Sequence, residues 1–113
     1  MKITIIYGRA GCGKTRNAER FKAHFGAEVC CDVAFDRLYE LDFLQPNRRL
    51  AYSRDRAERP KAAILLTNDH PRKVGAKLPS LQKRVPDGYF VIRPFESVMA
   101  EMDAKPTAGE AVQ

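Results

Sequence analysis

Residues 8–15, GRAGCGKT, constrain this chain more than any other segment. Three glycines fall within six residues, directly after the β-branched apolar run Lys2–Tyr7, KITIIY. That run predicts a buried strand. In the following KTRNAERFKAHF, Ala18, Phe21 and Phe25 recur at i, i+3 and i+7, which predicts a helix over Lys14–Phe25 with one apolar stripe. Gly26 stands where a helix C-terminal glycine belongs. A strand must therefore become a helix through a short loop rich in glycine. The pattern G-x-x-x-x-G-K-[ST] is matched without a mismatch, which chance gives in roughly a few chains per thousand of this length at about 7% glycine.

Each position of that loop has a physical use. Glycines at 8, 11 and 13 admit positive φ and let the backbone approach a ligand with no Cβ in the way. Successive backbone N–H groups then form a concave anion site, and the helix beyond adds the positive end of its dipole. The ammonium of Lys14 is placed to reach β- and γ-phosphates, and the hydroxyl of Thr15 to coordinate Mg²⁺. The expected phosphate-binding set is Gly8, Arg9, Ala10, Gly11, Cys12, Gly13, Lys14, Thr15 and Arg16.

The remaining elements are less strongly marked. Ala27–Asp32 (AEVCCD) predicts a short second strand, and Phe35, Leu38, Tyr39 and Leu41 a helix that stops before Pro46. Residues 46–61 carry five arginines between Arg48 and Arg59 and few apolar positions, which predicts an exposed connection. Ala62–Thr67 (AAILLT) predicts a central strand. Asn68–Pro79, with two prolines and a glycine, predicts a loop, and Ser80–Val85 a short helix. Pro86-Asp87-Gly88 is a turn signal, Tyr89–Arg93 predicts a strand, and Phe95, Val98 and Met102 a last amphipathic helix. Residues 104–113 lack large apolar side chains and predict a disordered tail after one domain over 1–103. Strands alternating with helices predict an α/β domain with a small, mainly parallel sheet flanked by helices. Ligands of such sheets sit at the carboxyl ends of the strands, which gathers the Gly8 loop, Asp32 and Asn68-Asp69 on one edge.

The segment from Lys2 to Gly26 resembles the P-loop nucleoside triphosphatase superfamily. The resemblance implies a three-layer sandwich, in a minimal version here, that binds ATP and Mg²⁺. The chain also resembles short P-loop ATP-binding proteins of bacteriophages and prophages. In those, a strand ending in Asp follows the first helix and a later strand ends in Thr-Asn, as at Asp32 and Thr67-Asn68 here. The resemblance implies an Asp at the end of a second strand to support Mg²⁺, and two candidates exist. Asp32 ends AEVCCD, and Asp69 follows AAILLTN. Thr67-Asn68 looks like the polar end of a sensor strand, where Asn68 would act beside Lys14 in catalysis. On that reading Asp32 is the favoured carboxylate, with Asp69 its rival.

One departure bears on turnover. Many hydrolysing P-loop proteins carry Glu directly after the Mg²⁺ Asp, whereas Val33 follows Asp32 and His70 follows Asp69. A lone His in a loop is a weak substitute, so slow hydrolysis is expected. Three uses of the nucleotide stay open: a triphosphatase coupled to a partner, a small-molecule phosphotransferase, and a nucleotide-dependent module that binds nucleic acid or protein without turnover. ATP is expected over GTP because Thr67-Asn68-Asp69-His70 lacks the Lys of a guanine-reading N/T-K-x-D, though GTP stays open. The arginine-rich stretch has three readings as well: a solvated connection, a lid over the nucleotide, or a contact to nucleic-acid phosphate.

Composition excludes some classes. No apolar run approaches the roughly 18 residues of a membrane span, and the N-terminal run is too short for a signal peptide, so a cytoplasmic location is expected. Three cysteines, Cys12, Cys30 and Cys31, argue against a disulfide framework. The net charge of +6 suits phosphate-bearing partners without demanding nucleic acid.

Overall fold

The computed structural model describes residues 1–44 and 60–104. The arginine-rich stretch Arg48–Arg59 and the tail beyond Ala104 lie outside the described residues. Among the described residues four strands form one sheet: β1 (Lys2–Tyr7), β2 (Val29–Asp32), β3 (Ala62–Thr67) and β4 (Tyr89–Pro94). All neighbours pair in parallel, in the order β2-β3-β1-β4. The α-helices of the described residues cross between or follow the strands: α1 (Ala18–Phe25), α2 (Pro71–Arg84) and α3 (Phe95–Ala104).

Period-two alternation in the two central strands divides the core. Ile3, Ile5, Ala63 and Leu65 face Val74, Leu81 and Val85 together with Phe35, Leu38, Leu41 and Leu44. Ile6, Ile64 and Leu66 face Phe21 of α1 and Val98 and Met102 of α3. Strands buried on both faces belong in a parallel sheet covered by helices. The expected α/β class with a small parallel sheet and flanking helices is therefore present. On the α1–α3 side a polar staple joins three elements. His24 Nε2 of α1 lies 2.7 Å from Glu101 Oε2 of α3, and Arg93 of β4 reaches the other Glu101 oxygen at 3.3 Å.

Three local expectations are corrected. The helix foreseen from Lys14 begins as a 3-10 turn over Thr15–Asn17, and regular α-helix starts at Ala18. It ends at Gly26, which has φ 62°. The segment expected to be a helix from Phe35 is a 3-10 run over Leu38–Leu44, which tucks Leu38, Leu41 and Leu44 against the sheet.

The largest departure concerns Asn68–Pro79, expected to be a loop. Pro71 occupies the first helical position, where its missing N–H costs nothing, and α2 runs on to Arg84 through Pro79. His70 caps the helix, its Nδ1 accepting the Arg72 N–H at 3.1 Å. Buried Val74 and Leu81, on either side of the interior proline, and Val85 just past the helix end hold it against the sheet. Burial of that face outweighs the roughly 3 kcal/mol that an interior proline costs.

Leu65 is wholly buried at the centre of β3. Leu65→Ala is expected to lower stability by about 2–5 kcal/mol, while Tyr89→Ala, at a 67% exposed position, stays within about 0.5 kcal/mol. Urea titration of both variants checks this, and equal midpoints would place Leu65 outside the core.

Candidate functional site

Parallel pairing brings the carboxyl ends of the strands to one edge, and two hydrogen bonds past the ladder fix the exits. The Gly8 N–H donates to the Thr67 carbonyl at 3.1 Å, and the Val33 N–H to the Leu66 carbonyl at 2.8 Å. The 8–15 loop, the segment after β2 and the segment after β3 therefore leave the sheet side by side. Between them lies a cavity of about 630 Å³ walled by Gly11, Gly13, Lys14, Thr15 and Arg16 on one side and by Asp32, Asn68 and Asp69 on the other. That volume is within the usual range for small-molecule sites.

The loop needs its glycines. Gly11 has φ 80° and Gly13 φ 104°, a left-handed region that costs other residues strain. A Cβ on Gly8 would lie 3.0 Å from the Cys12 Sγ and 3.1 Å from the Phe95 Cβ. Phe95 opens α3 just after β4, and its ring stacks edge-on against Phe21 at 6.1 Å. It thus forms a floor under the loop. Sequence reasoning placed Phe95 only on an apolar helix face. Its position directly after a strand end was the signal that could have found it. Asn17 closes the loop from the helix side, its Nδ2 donating to the Gly13 carbonyl at 2.8 Å.

The Lys14 side chain is buried, and its ammonium turns back on the loop. Nζ donates to the carbonyls of Gly8 at 2.7 Å and Arg9 at 3.0 Å and meets the Cys12 Sγ at 3.3 Å. The Lys14 side chain thus sits at the loop's centre and forms part of the cavity wall. The Thr15 hydroxyl lies 3.2 and 3.3 Å from the two oxygens of Asp32. Thr15 and Asp32 are 17 residues apart in sequence and are brought together by the β1–β3–β2 order.

The two rival carboxylates have different surroundings. Asp32 is exposed, with the Thr15 hydroxyl as its contact. Asp69 is committed to the scaffold. Its Oδ2 accepts the Phe35 N–H at 2.7 Å and the Thr67 hydroxyl at 3.2 Å, and its Oδ1 pairs with Lys73 at 3.3 Å. Burial pushes the Asp69 carboxyl upward, but the Phe35 amide, the Lys73 ammonium and the Thr67 hydroxyl together outweigh it and hold its pKa below the ordinary value. Asn68, the expected sensor, lines the cavity and is exposed. Arg9 contributes its carbonyl to the loop's own bonding rather than a side chain to the cavity wall.

Two charged residues on the cavity wall were missed in the sequence. Arg37 and Glu40 stand at the start of the 3-10 run, their side chains 3.9 Å apart. Their apolar neighbours Leu38 and Leu41 point into the core, which turns Arg37 and Glu40 outward. The three-residue spacing of a 3-10 turn was the available clue.

The donor set fits a magnesium–triphosphate pair better than a metal alone. Among the described residues no group of three or more His, Cys, Asp or Glu gathers to hold a metal ion. One hydroxyl and one carboxylate, as Thr15 and Asp32 provide, suit a hard cation that completes its shell with water and phosphate oxygens.

Burial, reinforced by neighbouring Cys31 and Asp32, pushes the Cys30 thiol up to about 12, and burial with Asp32 pushes Cys31 up to about 11. Both should therefore alkylate with iodoacetamide at pH 8 on the order of 100-fold more slowly than an unfolded-chain cysteine, read by mass spectrometry of the native protein. For Asp69, a depressed folded pKa means stabilisation that is present above the unfolded value near 3.9 and lost as pH falls through the folded one. Asp69→Asn should cost about 2 kcal/mol at pH 7 and much less at pH 2.5, measured by denaturant titration; a cost independent of pH would refute the ionised role. No helix among the described residues is long and apolar enough to cross a membrane. Set against protein-family models, curated proteins and solved structures, the chain matches none, so the chemistry of the site rests on its own residues.

Proposed function

We propose that the chain is a P-loop nucleotide-binding protein that takes ATP with Mg²⁺ at Gly8–Thr15 and hydrolyses it slowly. The observation that carries this reading is the approach of Thr15 to Asp32 beneath a loop whose glycines have positive φ and whose centre holds the Lys14 ammonium. The loop's N–H groups and the start of the helix offer a nest for phosphate oxygens. Lys14 exchanges its contacts with the Gly8 and Arg9 carbonyls for phosphate oxygens, which are stronger acceptors because they carry charge. Thr15 and Asp32 are the residues that would hold Mg²⁺, and the ion supplies charge neutralisation across the phosphates when bound. Asp69 is the scaffold partner and not the metal carboxylate, since three donors already occupy it.

Asn68 orients an oxygen of the terminal phosphate or the attacking water from the β3 end. Glu40 takes the place of the missing Glu after Asp32. It is the third carboxylate on the cavity wall beside Asp32 and Asp69, and Arg37 pairs with it. A positioned carboxylate contributes on the order of 10²–10⁴-fold to proton transfer. A half-exposed one is expected at the lower end, in keeping with slow turnover. The preference for ATP over GTP rests on the absence of a guanine-reading Lys between Asn68 and His70.

Calorimetry with ATP and Mg²⁺ is the direct test. Lys14→Ala should lose at least ten-fold in affinity, the equivalent of about 1.4 kcal/mol or more, with the circular dichroism of the fold retained. Thr15→Ala and Asp32→Asn should each abolish the gain in affinity that Mg²⁺ brings, whereas Asp69→Asn lowers stability and leaves that gain intact. Undiminished ATP binding by Lys14→Ala ends the reading. If Asp69→Asn alone removes the Mg²⁺ effect, the metal assignment moves to β3. Glu40→Gln is expected to cut phosphate release about a hundred-fold at unchanged ATP affinity.

A further inference from the structure

The positive charge of the described residues is unevenly placed. On the α1–α3 side the cations are matched: Arg20 pairs with Asp103 at 3.3 Å and Lys22 with Glu19 at 3.3 Å. Helix α3 itself has Glu96, Glu101 and Asp103 and neither Lys nor Arg. Helix α2 is the reverse. Its 14 residues, PRKVGAKLPSLQKR, include five cations and no Asp or Glu.

Those five cations share one side. At 100° per residue, Arg72, Lys83, Lys73, Arg84 and Lys77 fall within an arc of about 140°. Buried Val74 and Leu81, on either side of Pro79, lie outside that arc, so a single phase holds along the helix despite the proline. Arg72, Lys77 and Lys83 are exposed and have no ion-pair partner among the described residues. Lys73 is tied to Asp36 at 2.6 Å and Asp69 at 3.3 Å. Ala76 sits inside the arc, exposed, with a side chain too short to keep a partner at a distance.

We infer that this basic arc of α2 is a contact surface for the phosphate backbone of a nucleic acid. From Arg72 to Lys83 the row is about 16 Å long at 1.5 Å per residue, the axial length of about five phosphates on one duplex strand. A membrane surface fits less well. An interfacial helix flanks its cations with large apolar or aromatic side chains that enter the lipid, and the large apolar residues of α2 are packed against the sheet. Contacts made by Lys and Arg to phosphate are independent of sequence, so the surface selects nucleic acid by charge and spacing. The arc starts beside the cavity: Asp69 lines the cavity, His70 caps α2, and Lys73 bonds Asp69.

The test needs no nucleotide and is separate from the triphosphate reading. Anisotropy of a fluorescein-labelled duplex of about 20 base pairs, and of its single strand, is followed from about 50 to 200 mM KCl. Arg72→Gln/Lys77→Gln/Lys83→Gln should lose at least ten-fold in affinity at the low-salt end. The slope of log affinity on log salt should become shallower by about 2–3, near one for each phosphate that the replaced cations neutralise. Ala76→Glu, which sets a carboxylate inside the arc without removing a cation, should weaken binding as well. Lys2→Gln/Arg20→Gln/Lys22→Gln removes the same charge elsewhere and should stay within about three-fold of the parent. The inference is overturned if the parent binds neither oligonucleotide, if the α2 triple variant keeps the parent slope, or if both triple variants lose equally, which would leave net charge alone. Retention by vesicles containing about 30% phosphatidylserine, without retention of oligonucleotide, overturns it in favour of a membrane.

Discussion

The bond from the Gly8 N–H to the Thr67 carbonyl fixes the geometry on which the candidate site depends. It extends the β1–β3 ladder one step beyond the strands and so sets where the glycine loop departs. The matching bond from Val33 to Leu66 sets the departure of the chain after β2. With β3 between β2 and β1, Asp32 and Thr15 stand across the same strand end, close enough for a hydroxyl–carboxylate hydrogen bond. Had β2 paired on the other side of β1, the same residues would present no joint donor set.

The site shares its framework with the core in one further place. Asp69 holds the Phe35 amide and thereby anchors the segment that leads into Arg37 and Glu40. Its partner Lys73 bonds Asp36 in the same segment and Asp69 itself. The burial of Phe35, Leu38, Leu41 and Leu44 supplies the energy, and the carboxylate supplies the register. A carboxylate with three donors contributes to the rigidity of the segments it joins.

Much of this was legible in the chain. KITIIY and AAILLT read as buried strands because β-branched and aliphatic residues run without interruption, and both are central strands. The glycine loop was legible because only a few residue types tolerate positive φ, and Gly11 and Gly13 adopt it. Helix α2 was not, since Pro71 and Pro79 read as loop signals, and the burial that overrides them depends on tertiary packing no local pattern contains. The role of Asp69 was hidden for a similar reason. Its decisive partner, the Phe35 amide, lies 34 residues away. The cavity positions of Arg37 and Glu40 depended on a 3-10 turn where a regular helix was expected. The triphosphate and magnesium remain a proposal drawn from this geometry.

The all-parallel order also shapes how the chain becomes folded. Among the described residues no two consecutive strands pair with each other except β2 with β3, and β1 finds both of its partners far downstream, at Ala62–Thr67 and Tyr89–Pro94. Contacts of such long range slow folding. During synthesis at ~5–20 residues per second, the N-terminal strand waits ~3–12 seconds before its first partner is made. Over that interval KITIIY is an unpaired apolar segment of high β-propensity, the kind that recruits other chains, and Lys2 is the one charge within it. The loop that most defines the finished molecule thus follows a strand that is among the last to be satisfied.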